Sequence, residues 1–250
     1  MSLVKHIPNA VTSCNLLCGV LGVIASFRGR PDLAFSLMVA ASVFDFCDGL
    51  AARALKAYSD IGKELDSLCD MVSFGVLPSV MMCNRLYAAG YGDSFISFTP
   101  VVLAVCSGLR LAKFNVDERQ HSSFLGLATP AAALICASLC AFAFECPDSL
   151  IARLSGGMLF LPLLSLLLSA LLVSEIPMFA MKMGTGGDTP AYVRVERLLF
   201  LAAALLSLLC ALIFGLHWSF VILAAFTSYV LINILAWPLA HRADGSSECK

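Results

Sequence analysis

Long apolar runs separated by short polar connections organise this chain. A helix needs about 20 apolar residues to cross the hydrocarbon core of a bilayer. Eight such runs occur, near residues 9–27, 32–55, 66–90, 96–114, 127–145, 157–180, 197–215 and 219–238. The pattern predicts an all-α fold, a polytopic transmembrane helix bundle of about eight spans, with both ends on the same side. The sixth run carries Pro162 and Pro177, residues that kink or end a helix. The longest polar interruptions are 115–126 and 182–196, and no solenoid-length repeat is visible. A single integral-membrane domain over residues 1–250 is expected.

Composition agrees with the pattern: 60% of residues are hydrophobic and 13% charged, with a mean hydropathy of +0.89. A soluble domain of ordinary makeup does not reach these values. The net charge of −1 offers nothing to attract a nucleic acid, so any charge chemistry must be local. Basic residues set the orientation, because cytoplasmic loops are enriched in them. Twelve of the sixteen fall on the N-terminal side of the bundle, and four (Arg28, Arg30, Arg85 and Arg153) on the other. The expectation is an integral protein of the cell (inner) membrane with both termini in the cytoplasm. Lys5 precedes a run too long for a signal peptide and without a small-x-small cleavage site, so it is read as a retained first span. The eleven cysteines form no CxxC pair and are expected as reduced, structural thiols. Trp218 and Trp237 suit interfacial belts, His217 a tight outer turn, and Glu175 with Lys182 a helix end.

One stretch breaks the apolar pattern. Residues 45–70, "DFCDGLAARALKAYSDIGKELDSLCD", hold six of the seventeen acidic residues. At about 100° per residue, Asp45, Asp48, Gly49 and Ala52 share one helical face, so two carboxylates sit beside two very small residues. After a basic connection, Gly62, Asp66 and Asp70 recur every fourth position and share a face of the next helix. Capping is the alternative to function for Asp66, taken as the first turn of the third span, and Asp60 and Glu64 read as solvated loop charges. Capping does not explain Asp45 and Asp48, which lie past the middle of an apolar run; intramembrane acids are functional by default. Four converging carboxylates call for divalent cations, and all-oxygen ligands suit Mg²⁺, Mn²⁺ or Ca²⁺. Paired cations are a recurrent device for phosphoryl transfer.

"DFCDGLAAR", eight residues, then "GKELDSLCD" resembles the signature of the CDP-alcohol phosphatidyltransferases, D-x-x-D-G-x-x-A-R-(x)8–9-G-x-x-x-D-x-x-x-D. Every specified position is met, by Asp45, Asp48, Gly49, Ala52, Arg53, Gly62, Asp66 and Asp70. The likeness is greatest to the bacterial-type phosphatidylserine synthases within that family. It extends to "IPNAVTSCNLLCG" at 7–19, "DSLCDMVSFGVLPSV" at 66–80, "GLRLAKFNV" at 108–116 and "FLGLATPAAA" at 124–133. Lys113 departs from the arginine more usual there, and lysine lacks the planar fork of arginine.

The resemblance implies transfer of a phosphatidyl group from CDP-diacylglycerol to the hydroxyl of L-serine, at a cytoplasmic-facing site. Asp45, Asp48, Asp66 and Asp70 would be the metal ligands, for Mg²⁺ or Mn²⁺ with Ca²⁺ as a structural substitute, and Asp70 the catalytic base. Asn9, Thr12, Asp48, Gly49, Ala52, Arg53 and Gly62 would bind the CDP-lipid; helix capping after Pro8 is the alternative for Asn9 and Thr12. Arg110 would meet the serine carboxylate with Lys113 one turn on, and Asn115 and Ser73 are further candidates for serine contact; a positive-inside anchor is the alternative for Arg110. Membrane lipids and a second copy in a homodimer are the implied partners, and no nucleic acid is. Glycerol 3-phosphate or inositol phosphate are alternative acceptors under the same signature. A divalent-cation transporter is the alternative from another class; its site usually sits at the membrane midplane between related halves, whereas here the acids gather at one end.

Overall fold

The computed structural model describes residues 6–116, 124–178 and 191–245, and over these the chain is helical almost throughout. In chain order the helices are α1 (Ile7–Phe27), α2 (Pro31–Ala54), α3 (Asp60–Asp70), α4 (Leu77–Leu86), α5 (Val101–Val116), α6 (Thr129–Glu145), α7 (Leu150–Ser155), α8 (Phe160–Val173), α9 (Ala191–Phe214) and α10 (Ser219–Gly245). A π turn, Met71–Val76, joins α3 to α4 within one 32-residue span, Asp60–Tyr91. Among the described residues the extended pairing is a two-residue antiparallel ladder between β1 (Phe124–Leu125) and β2 (Pro177–Met178). The chain is an integral membrane protein of the polytopic helical type.

Among the described residues, six helices are long and apolar enough to cross a bilayer: Ile7–Phe27, Pro31–Ala54, Asp60–Tyr91, Phe95–Val116, Arg194–Phe214 and Ser219–Ala236. The other two expected runs fold as shorter helices, α6 of 17 residues and α8 of 14. For α6 the reason is enclosure. Fourteen of its residues are buried, with α2, α4 and α10 packed around it, and a helix surrounded by protein need not match the lipid thickness. Six alanines line it, and small side chains let helices approach closely where no hydrophobic force drives them together. The α8 run, expected over 157–180, ends at Val173 because the chain turns into β2, where Pro177 lies.

The third span begins earlier than its hydropathy suggests. Ser59 caps it, accepting the Gly62 N–H at 3.0 Å, so Asp60 and Glu64 are exposed helical residues and not loop charges. Asp66 then lies in the second turn, beyond the amides a cap can satisfy, which removes the capping explanation.

The α1 and α2 helices form a hairpin closed by Gly29, which has positive φ, and by Pro31 in the first turn of α2. One face of α1 presents Pro8, Thr12, Asn15, Gly19, Gly22 and Ser26, all buried. A Cβ at Gly19 would overlap the Ser73 hydroxyl, and one at Gly22 would stand 2.6 Å from Leu77 Cδ2. These two glycines therefore let α1 lie directly against the π turn and α4. At the far end Arg85 donates to the Ala152 carbonyl at 2.9 Å and tethers α7, while Trp218 stacks on Phe35 at 4.6 Å and His217 occupies the turn between α9 and α10. Lys5, Arg119, Lys182 and Lys250, used above for orientation, lie outside the described residues, as do the side chains of Trp237 and Arg242.

Candidate active site

The α3 helix packs on α1, and α1 on α2, so α1 is the shared wall of a groove with α2 on one side and α3 on the other. Asp45 and Asp48 project from α2, Asp66 from α3. One carboxylate oxygen from each of the three lies within 4.8 Å of the others. Asp48 Oδ2 and Asp66 Oδ1 are buried without a hydrogen-bond partner. Buried carboxylate oxygens are costly unless paired, and with Asp45 these two complete a set of three carboxylates whose spacing suits a hard divalent cation. The fit to Mg²⁺ or Mn²⁺ is therefore good on the geometry of the oxygens alone.

Asp70, one helical turn beyond Asp66, does not join that trio. It is buried, and its Oδ1 accepts a hydrogen bond from Asn15 Nδ2 at 3.1 Å. It remains within Coulombic reach of Asp45 and Asp66. Asn15 is fully buried and is fixed in turn by Ser73, whose hydroxyl donates to the Asn15 carbonyl at 3.1 Å. The π turn starts at Met71, directly after Asp70; such turns concentrate at functional sites.

Beside the trio opens a cavity of about 190 Å³ lined by Asn9, Thr12, Asp48, Gly49, Ala52, Arg53, Gly62 and Asp66, together with Pro8, Ala57, Tyr58, Ser59 and Lys63. Every residue expected to contact the CDP-lipid meets on this one surface. The Thr12 hydroxyl donates to the Pro8 carbonyl at 3.0 Å and also lies beside Asp48. Gly49 and Ala52 leave the α2 wall low, and Arg53 and Lys63 supply two cations at the mouth.

The four residues expected to contact serine separate into different settings. Arg110 and Lys113 line a second cavity, of about 240 Å³, between α5 and α8. Arg110 is 9% exposed; its Nη1 donates to Thr129 Oγ1 at 3.2 Å while Nε is buried without a partner, and Asp70 is within its Coulombic reach. Lys113 pairs with Glu175 at 3.2 Å. Asn115 instead ties α5 to α3, with its amide donating to Ser67 Oγ at 2.9 Å and its carbonyl accepting from Lys63 Nζ at 2.9 Å. Ser73 is committed to Asn15.

Asn15, Tyr58, Lys63 and Glu175 were not among the residues expected from sequence. Asn15 carried a signal all the same, since Pro8, Thr12, Asn15, Gly19 and Gly22 follow one another at steps of four, three, four and three, a polar and small stripe on an apolar helix. The position of Glu175 carried none, because its partner is 62 residues away.

Residues 5–168 match the family model described as CDP-alcohol phosphatidyltransferase. The CDP-diacylglycerol–serine O-phosphatidyltransferase of Bacillus subtilis (strain 168) is 34% identical over 142 residues, covering 56% of this chain and 78% of that protein. Its namesake from Mycobacterium leprae (strain TN) is 32% identical over 233 residues, covering 84% and 74%. A third protein of that name, from Methanocaldococcus jannaschii, is 30% identical over 170 residues, covering 68% and 72%.

Proposed function

The chain belongs to the CDP-alcohol phosphatidyltransferase family, and on that premise we propose that it transfers the phosphatidyl group of CDP-diacylglycerol to the hydroxyl of L-serine, yielding phosphatidylserine and CMP. The observation that carries this reading is the meeting of Asp45, Asp48 and Asp66 within 4.8 Å at the edge of a cavity that also holds Arg53 and Lys63. Relatives from three organisms bear the serine-transferase name, which favours serine over a phosphorylated acceptor.

In this mechanism Asp45, Asp48 and Asp66 would hold the divalent cation, Mg²⁺ or Mn²⁺. The chemistry supplied there is neutralisation and polarisation of the substrate diphosphate. Arg53 and Lys63 pair with phosphate oxygens of the CDP moiety, where charge-assisted hydrogen bonds are strongest. Gly49 and Ala52 let the nucleotide approach the α2 backbone. Arg110 binds the serine carboxylate; its unpartnered Nε is an available donor. Asp70 accepts the serine hydroxyl proton at Oδ2, since Oδ1 is engaged by Asn15. The serine oxygen becomes bonded to the phosphatidyl phosphorus, the bond from that phosphorus to CMP breaks, and CMP leaves with the bonding pair. The distribution of basic residues supports a cytoplasmic position for this end of the bundle, where CMP and serine are both soluble. A homodimer, implied by the family resemblance, is the proposed assembly and is checked by cross-linking in membranes.

The deciding experiment is an acceptor panel. Purified protein with CDP-diacylglycerol and Mg²⁺ or Mn²⁺ should release CMP with L-serine. Release with glycerol 3-phosphate or inositol phosphate but not with serine would overturn the assignment.

A further inference from the structure

The α5–α8 cavity has a buried cation, Arg110, in its lining, and Leu109, Phe114, Leu172 and Val173 form apolar walls. Lys113, also in the lining, pairs with Glu175 at 3.2 Å, with side chains 45% and 66% exposed, and Glu175 directly follows the lining residue Ser174 in the chain. An ion pair this exposed contributes little to stability.

The backbone that carries Glu175 is nevertheless held firmly. On one side, Leu171 O accepts from Leu127 N at 3.0 Å and from the Ser174 hydroxyl at 2.8 Å. On the other, Ile176 O accepts from Gly126 N at 2.9 Å and β2 pairs with β1. Gly126 makes this possible. Its φ is +78°, and a Cβ there would stand 2.7 Å from Ser174 O and 2.8 Å from Leu172 O, so only glycine admits so close a crossing. A fixed strap thus holds one carboxylate beside Ser174 and Lys113, two lining residues of a cavity that also contains a buried arginine.

A buried cation in the lining and an anion paired to a second lining residue match an amino acid, which carries a carboxylate and an ammonium on one carbon. We propose that Glu175 is the acceptor-specificity residue, recognising the ammonium of serine while Arg110 takes the carboxylate. The inference rests on the reading that the Arg110 cavity receives the acceptor. In the free protein Lys113 occupies the place beside Glu175 that the serine ammonium shares or takes when it enters. An uncharged alcohol, or one bearing phosphate, has no group for Glu175.

The test is a double-mutant cycle on serine kinetics in the purified protein, with Glu175→Gln, Lys113→Met, the double variant, and Arg110→Met in parallel. Glu175→Gln should raise the serine KM about two- to fivefold, the factor that corresponds to one exposed charge pair, while kcat at saturating serine and the KM for CDP-diacylglycerol stay at their wild-type values. Because the glutamate meets serine and not only Lys113, the same rise should persist in the Lys113→Met background, and Glu175→Asp should restore part of it. Persistence of the wild-type serine KM in Glu175→Gln, or disappearance of the effect once Lys113 is methionine, overturns the proposal. Arg110→Met separates this from the underlying reading: a serine KM unchanged there refutes the acceptor cavity itself, whereas a raised KM there with a silent Glu175→Gln refutes only the role of Glu175.

Discussion

Asn15→Ala probes whether Asp70 depends on being held. The Asn15 amide donates to Asp70 Oδ1 at 3.1 Å, and both residues are buried, at 0% and 8% exposed. A hydrogen bond to a charged group is worth about 1.5–3 kcal/mol. If the bond fixes the carboxylate for proton acceptance, its loss appears in the barrier. Each 1.36 kcal/mol is tenfold in rate, so kcat should fall by about 10- to 150-fold. Cation binding, which rests on Asp45, Asp48 and Asp66, should survive. The assay is CMP release at saturating CDP-diacylglycerol and serine, paired with Mn²⁺ binding and thermal unfolding of the same preparation. Ser73→Ala is the graded comparison. It removes only a neutral bond to the Asn15 carbonyl, worth about 0.5–1.5 kcal/mol, so kcat should drop by roughly tenfold or less. An Asn15→Ala protein that turns over within about twofold of wild type would refute the positioning argument, and a loss of stability with kcat intact would reduce Asn15 to a packing residue.

The carboxylates should divide into two classes: Asp45→Asn, Asp48→Asn and Asp66→Asn each lose Mn²⁺ binding by titration and lower turnover by a factor on the order of 10³, whereas Asp70→Asn keeps Mn²⁺ binding and loses turnover. A fully active Asp70→Asn variant removes that residue from the mechanism. Chelation by EDTA should abolish CMP release and added Mg²⁺ or Mn²⁺ restore it; activity that survives exhaustive chelation contradicts the role given to the trio. Gly62→Ala sets a Cβ 3.0 Å from Ser59 Oγ and 3.1 Å from Asn9 Oδ1, so the KM for CDP-diacylglycerol should rise severalfold with the serine KM unchanged. Gly22→Ala drives a methyl into Leu77 and should cost about 1–3 kcal/mol of stability, read as a lowered midpoint of thermal unfolding in detergent.

Hydropathy carried most of the fold into view, because a span must be apolar along its whole length wherever lipid touches it. It failed where protein takes the place of lipid. The sequence of α6 reads as a span, yet the helix is a core element of 17 residues, and composition cannot distinguish an alanine facing acyl chains from one facing α2. It failed also at Asp60, where a polar first turn capped by Ser59 extends the third span below its apolar run. The acidic site was legible for a related reason. Asp45 and Asp48 have no local structural use, and residues without such a use point to function. The settings of Ser73 and Asn115 were not legible, because their hydrogen-bond partners, Asn15 and Ser67, lie 58 and 48 residues away in the chain. The pairing of Lys113 with Glu175 depends on the strap built by Gly126, a contact between segments some fifty residues apart. Helical periodicity relates residues three or four positions apart, so the α5–α8 cavity, unlike the aspartate motif, becomes visible only when α5 and α8 are set side by side. In the function proposed, the transferred group is thus written in one local stretch of the chain, while the choice of acceptor belongs to the tertiary fold.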